Sequence, residues 1–201
     1  MKRLLVLALV CLAVVSCKKD DDLPNSNTNS SVVSGNFTHY LGEEFGGGVI
    51  FHLWNDAQGL EHGLIVDKTD LSTNQVWSNI DVTIGSSAQS SWDGLNNTNA
   101  IVGQAGHTNS AAVLCLNSTN GGQNDWYLPS VDELTLLWQN RFNVNKSLST
   151  ITGAATLTIE FDCWSSTEDF DGDAFHFVFF SGSTYSDDKN ETLYVRAIRA
   201  F

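Results

Sequence analysis

A chain of 201 residues bearing 23 Asp plus Glu against 10 Lys plus Arg has a formal charge of −13 at pH 7. That balance repels nucleic acid, sulfated polysaccharide and anionic lipid headgroups, which argues against polyanionic partners. The length suits one domain of ordinary size once a short N-terminal segment is set aside.

Residues 1–16 read as a secretory leader. Lys2-Arg3 supply a basic start, Leu4 to Val15 an apolar run too short for a stable span, and Ser16 a small residue at the cut. Directly after Val14-Val15-Ser16 stands Cys17, an arrangement that resembles the lipobox of bacterial lipoproteins. In that class the cysteine sulfur receives a diacylglyceryl group and the freed amine is acylated as well. Each buried methylene contributes about 0.8 kcal/mol, so two or three acyl chains hold where one holds only marginally. The resemblance implies an outer-membrane lipoprotein tied to the bilayer through Cys17, without a transmembrane helix. The alternative is a plain leader or N-terminal anchor in which Cys17 is incidental. Lys18-Lys19-Asp20-Asp21-Asp22 is similar to the export tags that send some lipoproteins to the outer cell surface, so surface exposure is expected. Loss of residues 1–16 removes Lys2 and Arg3, leaving eight Lys plus Arg against 23 Asp plus Glu and a charge of −15.

Residues 17–34 form a lipidated cysteine followed by a polar tether rich in Asn and Ser, with no helical or strand period. A flexible coil of about 17 residues holds its domain roughly 20–25 Å from the membrane. The folded part is expected over residues 35–201. GGGVIFHLW (46–54) and HGLIVDK (62–68) make a strand pair across the polar turn Asn55 to Gly59. Segment 69–97 reads as a long irregular loop. Ala111, Ala112, Cys115 and Leu116 lie at helical spacing and predict one helix. Ser130 and Glu133 form an S-x-x-E capping box that opens a second, with Val131, Leu134, Leu137, Trp138 and Arg141 along one face. Three strands follow, FDCWSST (161–167), AFHFVFF (174–180) and ETLYVRAIRAF (191–201), separated by DFDGD and SGSTYSDDKN turns. A terminal strand that stops on Phe201 is expected to be held inside the sheet.

Cysteine usage leaves an alternative open. Cys11 departs with the leader and Cys17 is committed to lipid, so Cys115 and Cys163 reach the domain. In an oxidising envelope they can pair, and closing a loop of about 48 residues contributes about 4 kcal/mol in the chain-entropy model. Otherwise they are two separate buried thiols acting as small apolar residues.

With these elements placed, GGVIFHLW…HGLIV, TNAIV…AA…C, NGGQNDWYLPSVDELTLLWQNR, CWSSTE and Lys189…YVRAIRAF resemble the successive motifs of the Lcl C-terminal domain family, from about Gly46 to Phe201. The resemblance implies a single α+β domain of the C-type-lectin-like superfamily, mostly short antiparallel strands with two helices, its first and last strands paired. It implies a more distant likeness to formylglycine-generating enzymes. It also makes Trp126, Leu128, Pro129, Ser130, Glu133, Trp164 and Ser165 scaffold residues.

Candidate sites are few. Trp54-Asn55-Asp56 spells a tripeptide of calcium-dependent lectins but falls at the first hairpin turn, and no E-P-N or Q-P-D triplet accompanies it. Asp169, Asp171 and Asp173 alternate like calcium ligands, yet Ala174 stands where the loop glycine belongs and Phe180 where the bidentate glutamate belongs. An Asx-rich hairpin turn is the competing reading, so calcium stays open only as a weak option and no other cofactor is expected. His39, His52, His62, His107 and His176 show no zinc spacing, and Gly-x-Ser-x-Gly is absent. The oxidase cysteine pair of formylglycine-generating enzymes also has no counterpart in context. An enzyme is not expected. Trp77 and Trp92, with Asn79, Asp81 and Asp93, occupy the irregular segment 69–97, where a loop on a rigid scaffold carries binding; a structural insertion is the alternative.

Two functional classes remain. One is a surface-tethered adhesion or recognition module. The family's collagen-like adhesin engages sulfated glycosaminoglycans through basic residues, but eight unclustered Lys and Arg point this chain to neutral glycans. The other is a structural or envelope-assembly lipoprotein whose domain binds another protein.

Overall fold

The computed structural model describes residues 37–201 apart from Ile159, Phe161 and Asp171. The expected leader, Cys17 and the expected tether lie outside the described residues. Within them the backbone forms nine strands and four α-helices in two sheets. The first sheet runs β1 (Glu44–Phe45), β2 (Gly48–Asn55), β3 (Glu61–Asp67) and β9 (Ile198–Ala200), all antiparallel. The second runs β4 (Ser72–Val76), β8 (Thr192–Val195), β5 (Asp162–Glu168), β6 (Asp173–Val178) and β7 (Ser183–Asp188), antiparallel except where β5 meets β8. The helices are α1 (Gly94–Val102), α2 (Ala111–Leu116), α3 (Val131–Gln139) and α4 (Arg141–Leu148). None of them is long and apolar enough to cross a membrane.

The expected α+β class holds, with three differences in detail. Two helices are expected and four are found. α1 hides among asparagines and is opened by Asp93, whose side chain accepts from Asn96 N at 3.1 Å. α4 follows α3 after Asn140, which ends one helix and starts the next. Second, the stretch 191–201 is two strands rather than one, β8 in the second sheet and β9 in the first. The chain passes between them through Arg196, fully buried, whose Nε bonds Asp70 at 2.7 Å and whose Nη1 reaches the carbonyls of Asp67 and Ala155, each at 3.1 Å. Third, β9 pairs with β3, so the first and last strands share a sheet without being neighbours. Their link is made by side chains: Arg199 bonds Gly46 O at 3.3 Å, and Phe45 and Phe201 meet edge-on at 5.2 Å.

Two apolar clusters cover the faces of the first sheet. Val49, Phe51, Leu64 and Val66 pack with Leu134 and Leu137 of α3 and Val144 and Leu148 of α4. Ile50 and Ile65 pack on the other face with Trp77, Ile101, Cys115, Trp126, Leu128 and Trp164. The scaffold residues Trp126, Leu128, Ser130, Trp164 and Ser165 are all fully buried. Each buried indole also finds an acceptor, as burial of its N–H requires: Trp126 donates to Asn120 O at 3.0 Å and Trp164 to Gln75 O at 2.8 Å. Cys115 and Cys163 fall in different clusters and are free thiols, both buried. The pairing alternative is therefore not the one adopted. Burial pushes the Cys163 thiol up to about 12, which keeps it protonated and inert.

A closed ion pair fastens the segment between β4 and α1. Lys189 Nζ and Glu168 Oε1 stand 2.8 Å apart with side chains 1% and 0% exposed. The Glu168 oxygens also accept from Ile84 N at 2.8 Å and Gly85 N at 2.7 Å, and Lys189 lies 5.2 Å from the Trp77 ring centre. Removing one member of such a pair strands the other charge away from water. Lys189→Met is expected to lower unfolding free energy by about 3–5 kcal/mol in urea titrations. The double variant Lys189→Met/Glu168→Gln is expected to recover much of that loss.

Candidate functional site

The bulge in β2 decides which side chains leave the core. Ile50 pairs with Ile65 and His52 with Leu64, so Phe51 is an extra residue on β2. Val49 and Phe51 already face α3 and α4. The extra residue then turns His52 and Trp54 onto that same face and sends Leu53 to the opposite cluster. Beyond the end of α3 the face is no longer covered, and the aromatic rings line up there. His52 and Trp54 stack at 5.6 Å, and Trp54 stacks at 5.4 Å on His62, its partner across the ladder. His62 is held in turn by Asp56 at 3.3 Å.

Trp92 comes to this place on a loop with almost no freedom. Ser90 N donates to Asn97 Oδ1 at 3.1 Å, while Ser90 O accepts from Asn97 Nδ2 at 2.6 Å and Thr167 Oγ1 at 3.0 Å. The next residue, Ser91, makes a reciprocal pair with α3: its hydroxyl donates to Asp132 Oδ2 at 2.6 Å and its carbonyl accepts from Asp132 N at 2.8 Å. Between these anchors and the cap at Asp93, Trp92 is 71% exposed. Other large apolar side chains such as Phe142, Phe170 and Phe180 are as exposed; what marks Trp92 is that it lines a groove together with Trp54.

Together these elements enclose a groove of about 200 Å³, walled by Trp54 and Trp92, floored by His52, Leu64 and Leu136, and edged by Asp132 and Glu133. Glu133 is nearly buried. It accepts from Tyr127 OH and from both the N–H and hydroxyl of Ser130, each at 2.8 Å, which completes the expected capping box. Burial raises its carboxyl above the usual range, and those donors pull the other way. Gly94 makes this closeness possible, because a Cβ there would run into Glu133 Oε2 and come 2.8 Å from Leu128 O. Burial lowers the His52 pKa, so the imidazole is uncharged at neutral pH. Among the described residues no Lys or Arg lines the groove.

Of the five loop residues expected to form a binding surface, the structure brings one to the groove. Trp77 is fully buried and donates to Ser165 O at 2.7 Å, so it is core. Asn79 is a brace whose side-chain oxygen accepts from Thr108 N and Asn109 N, both at 2.9 Å. Asp81 accepts at its backbone carbonyl from Gly172 N at 3.2 Å, beside the β5–β6 turn. Asp93 caps α1, and only Trp92 reaches the groove. Asp169 and Asp173 lie at the β5–β6 turn, joined by the Asp169 N to Asp173 O bond at 3.3 Å, while Asp171 is outside the described residues. Among the described residues no three His, Cys, Asp or Glu side chains gather closely enough to hold a metal ion. His52 and Trp54, which complete the aromatic wall, are not singled out by sequence reasoning as ligand residues. The bulge that aims them has no local signature.

The family model of the Lcl C-terminal domain matches residues 67–199, most of the folded part. The chain belongs to this family. No curated protein matches it. The match opens at Asp67, the end of β3, rather than near Gly46. The Lcl C-terminal segment therefore contributes Trp92, Asp132, Glu133 and Leu136, and the preceding hairpin contributes His52, Trp54 and Leu64. Trp77→Ala is expected to cost about 3–5 kcal/mol of stability. Trp92→Ala, lying in the same loop, is expected to stay within about 0.5 kcal/mol of wild type by chemical denaturation.

Proposed function

We propose that this protein is a membrane-anchored surface lipoprotein whose domain is a non-catalytic recognition module, binding a glycan that is not polyanionic in the groove between Trp54 and Trp92. The observation that carries the reading is Trp92, exposed beside the groove on a backbone held by Ser90, Ser91 and Asp93. An ordered aromatic face loses little conformational freedom on binding, so the apolar face of a sugar ring can stack on it at small entropic cost. The exposed carboxylate of Asp132 at the groove and the −13 charge of the chain argue against sulfated ligands. Anchoring rests on the lipobox-like run ending in Cys17, and export to the outer surface on Lys18 to Asp22.

Radiolabelled palmitate is expected to label the wild type and not Cys17→Ser; label retained in the variant would remove the anchor. On a glycan array probed with and without calcium, saturable binding to one glycan family is expected, independent of calcium and reduced at least tenfold by Trp92→Ala. Silence across the array would sink the recognition reading. A second reading, an envelope-assembly lipoprotein that binds another protein, is favoured by a different surface. Phe142 is 76% exposed at the edge of a hollow of about 330 Å³ that also includes Arg141, Leu157 and Phe179. It would gain if the array stayed silent and an envelope partner cross-linked to wild type but not to Phe142→Ser.

A further inference from the structure

The groove combines two properties that ask for different things of a ligand. Trp54 and Trp92 offer apolar faces, 37% and 71% exposed, suited to the carbon–hydrogen face of a sugar. The electrostatics ask for positive charge. Asp132 is exposed at the rim; its Oδ2 takes the Ser91 hydroxyl, and its Oδ1 takes no donor among the described residues. Glu133 behind it is taken up by Tyr127 and Ser130, so the charge offered at the rim is that of Asp132, and among the described residues no Lys or Arg lines the groove to balance it. His62, the nearest histidine beyond the wall, is turned to Asp56. An aromatic face is itself attractive to an ammonium group, by about 0.5–1 kcal/mol at exposed sites and about 2 kcal/mol or more once water is excluded. At longer range the net charge of −13 draws cations toward the surface. A neutral sugar would satisfy the tryptophans and leave the rim carboxylate unmatched.

Building on the recognition reading above, we infer that the groove takes a hexosamine residue bearing a free ammonium, its ring stacked on Trp92 and its ammonium directed to Asp132. The ligand is thus a cationic glycan with unacetylated amino sugars, within the class that is not polyanionic but distinct from the neutral glycans expected from charge counting. The volume of about 200 Å³ is below that of sites for drug-sized molecules and suits one such residue at a time.

The test uses the full-length protein in detergent and two probes of equal length, a glucosamine hexamer and an N-acetylglucosamine hexamer, titrated at one pH and salt concentration with tryptophan fluorescence as readout. The glucosamine hexamer is expected to bind at least tenfold more tightly. Asp132→Asn is expected to erase most of that preference, while Asp188→Asn, which removes the same charge from the exposed edge strand β7, is expected to leave it intact. Equal effects of the two substitutions would reduce the preference to bulk charge attraction and overturn the assignment. If both hexamers bind alike and both weaken with Trp92→Ala, the groove is a sugar site without a charge preference; the ammonium assignment then fails and the recognition reading stands. If neither hexamer nor any other glycan shows saturable binding, both fail together.

Discussion

Glu168 and Lys189 stand out of water at the point where the second sheet, the turn before β8 and the long connection ahead of α1 meet. Neither charge is tolerable there without the other. Their mutual neutralisation also organises the backbone. The carboxylate oxygens left over from the ammonium take the N–H groups of Ile84 and Gly85, and the Lys189 main chain bonds Trp77 N at 2.9 Å and Gly172 O at 2.7 Å. A connection with little apolar content of its own is thereby given a fixed course. Everything downstream of Gly85, including the placement of Ser90, Ser91 and Trp92, inherits that course.

The groove arises where two independent solutions meet. On one side a sheet edge runs past the end of its covering helix, and a bulge keeps aromatic side chains on the uncovered face. On the other, a pinned loop delivers an indole to the opposite wall. Such construction favours binding that changes little in shape, with the cost of ordering already met during folding. It also accounts for the use of Asp132 in two capacities. It sits in the first turn of α3, where the helix dipole favours negative charge, and it docks the loop through Ser91.

What the sequence disclosed followed from how local each determinant was. The capping box at Ser130 and Glu133, the hairpin around Asp56 and Gly59, and the strands β5 and β6 are all written in adjacent residues, and each appears within a residue or two of where it is expected. β7 reads as a turn because Ser183 to Asp188 has no apolar alternation. As an exposed edge strand it needs none, and its two aspartates guard the edge against pairing. α1 is obscured by asparagines that usually mark turns. It forms because Asn97 and Thr98 are buried and bonded, Thr98 Oγ1 linking Gly94 O at 2.7 Å to Leu128 N at 3.1 Å. Trp77 and Trp92 are indistinguishable by composition. A partner 88 residues away, Ser165 O, puts the first in the core, and contacts of that range leave no trace in a local pattern. The groove was half legible for the same reason: its loop wall stood out as an irregular segment, and its strand wall depends on register.

The extra residue at Phe51 sets two successive side chains, Phe51 and His52, on one face of β2, so a single strand feeds both the packed interior and the open groove. A single-codon deletion of Phe51 would take its ring out of the interior and leave the register beyond it intact, with His52 still opposite Leu64 and Trp54 still opposite His62. Shortening at this point therefore costs the interior a ring and leaves the wall of imidazole and indole standing.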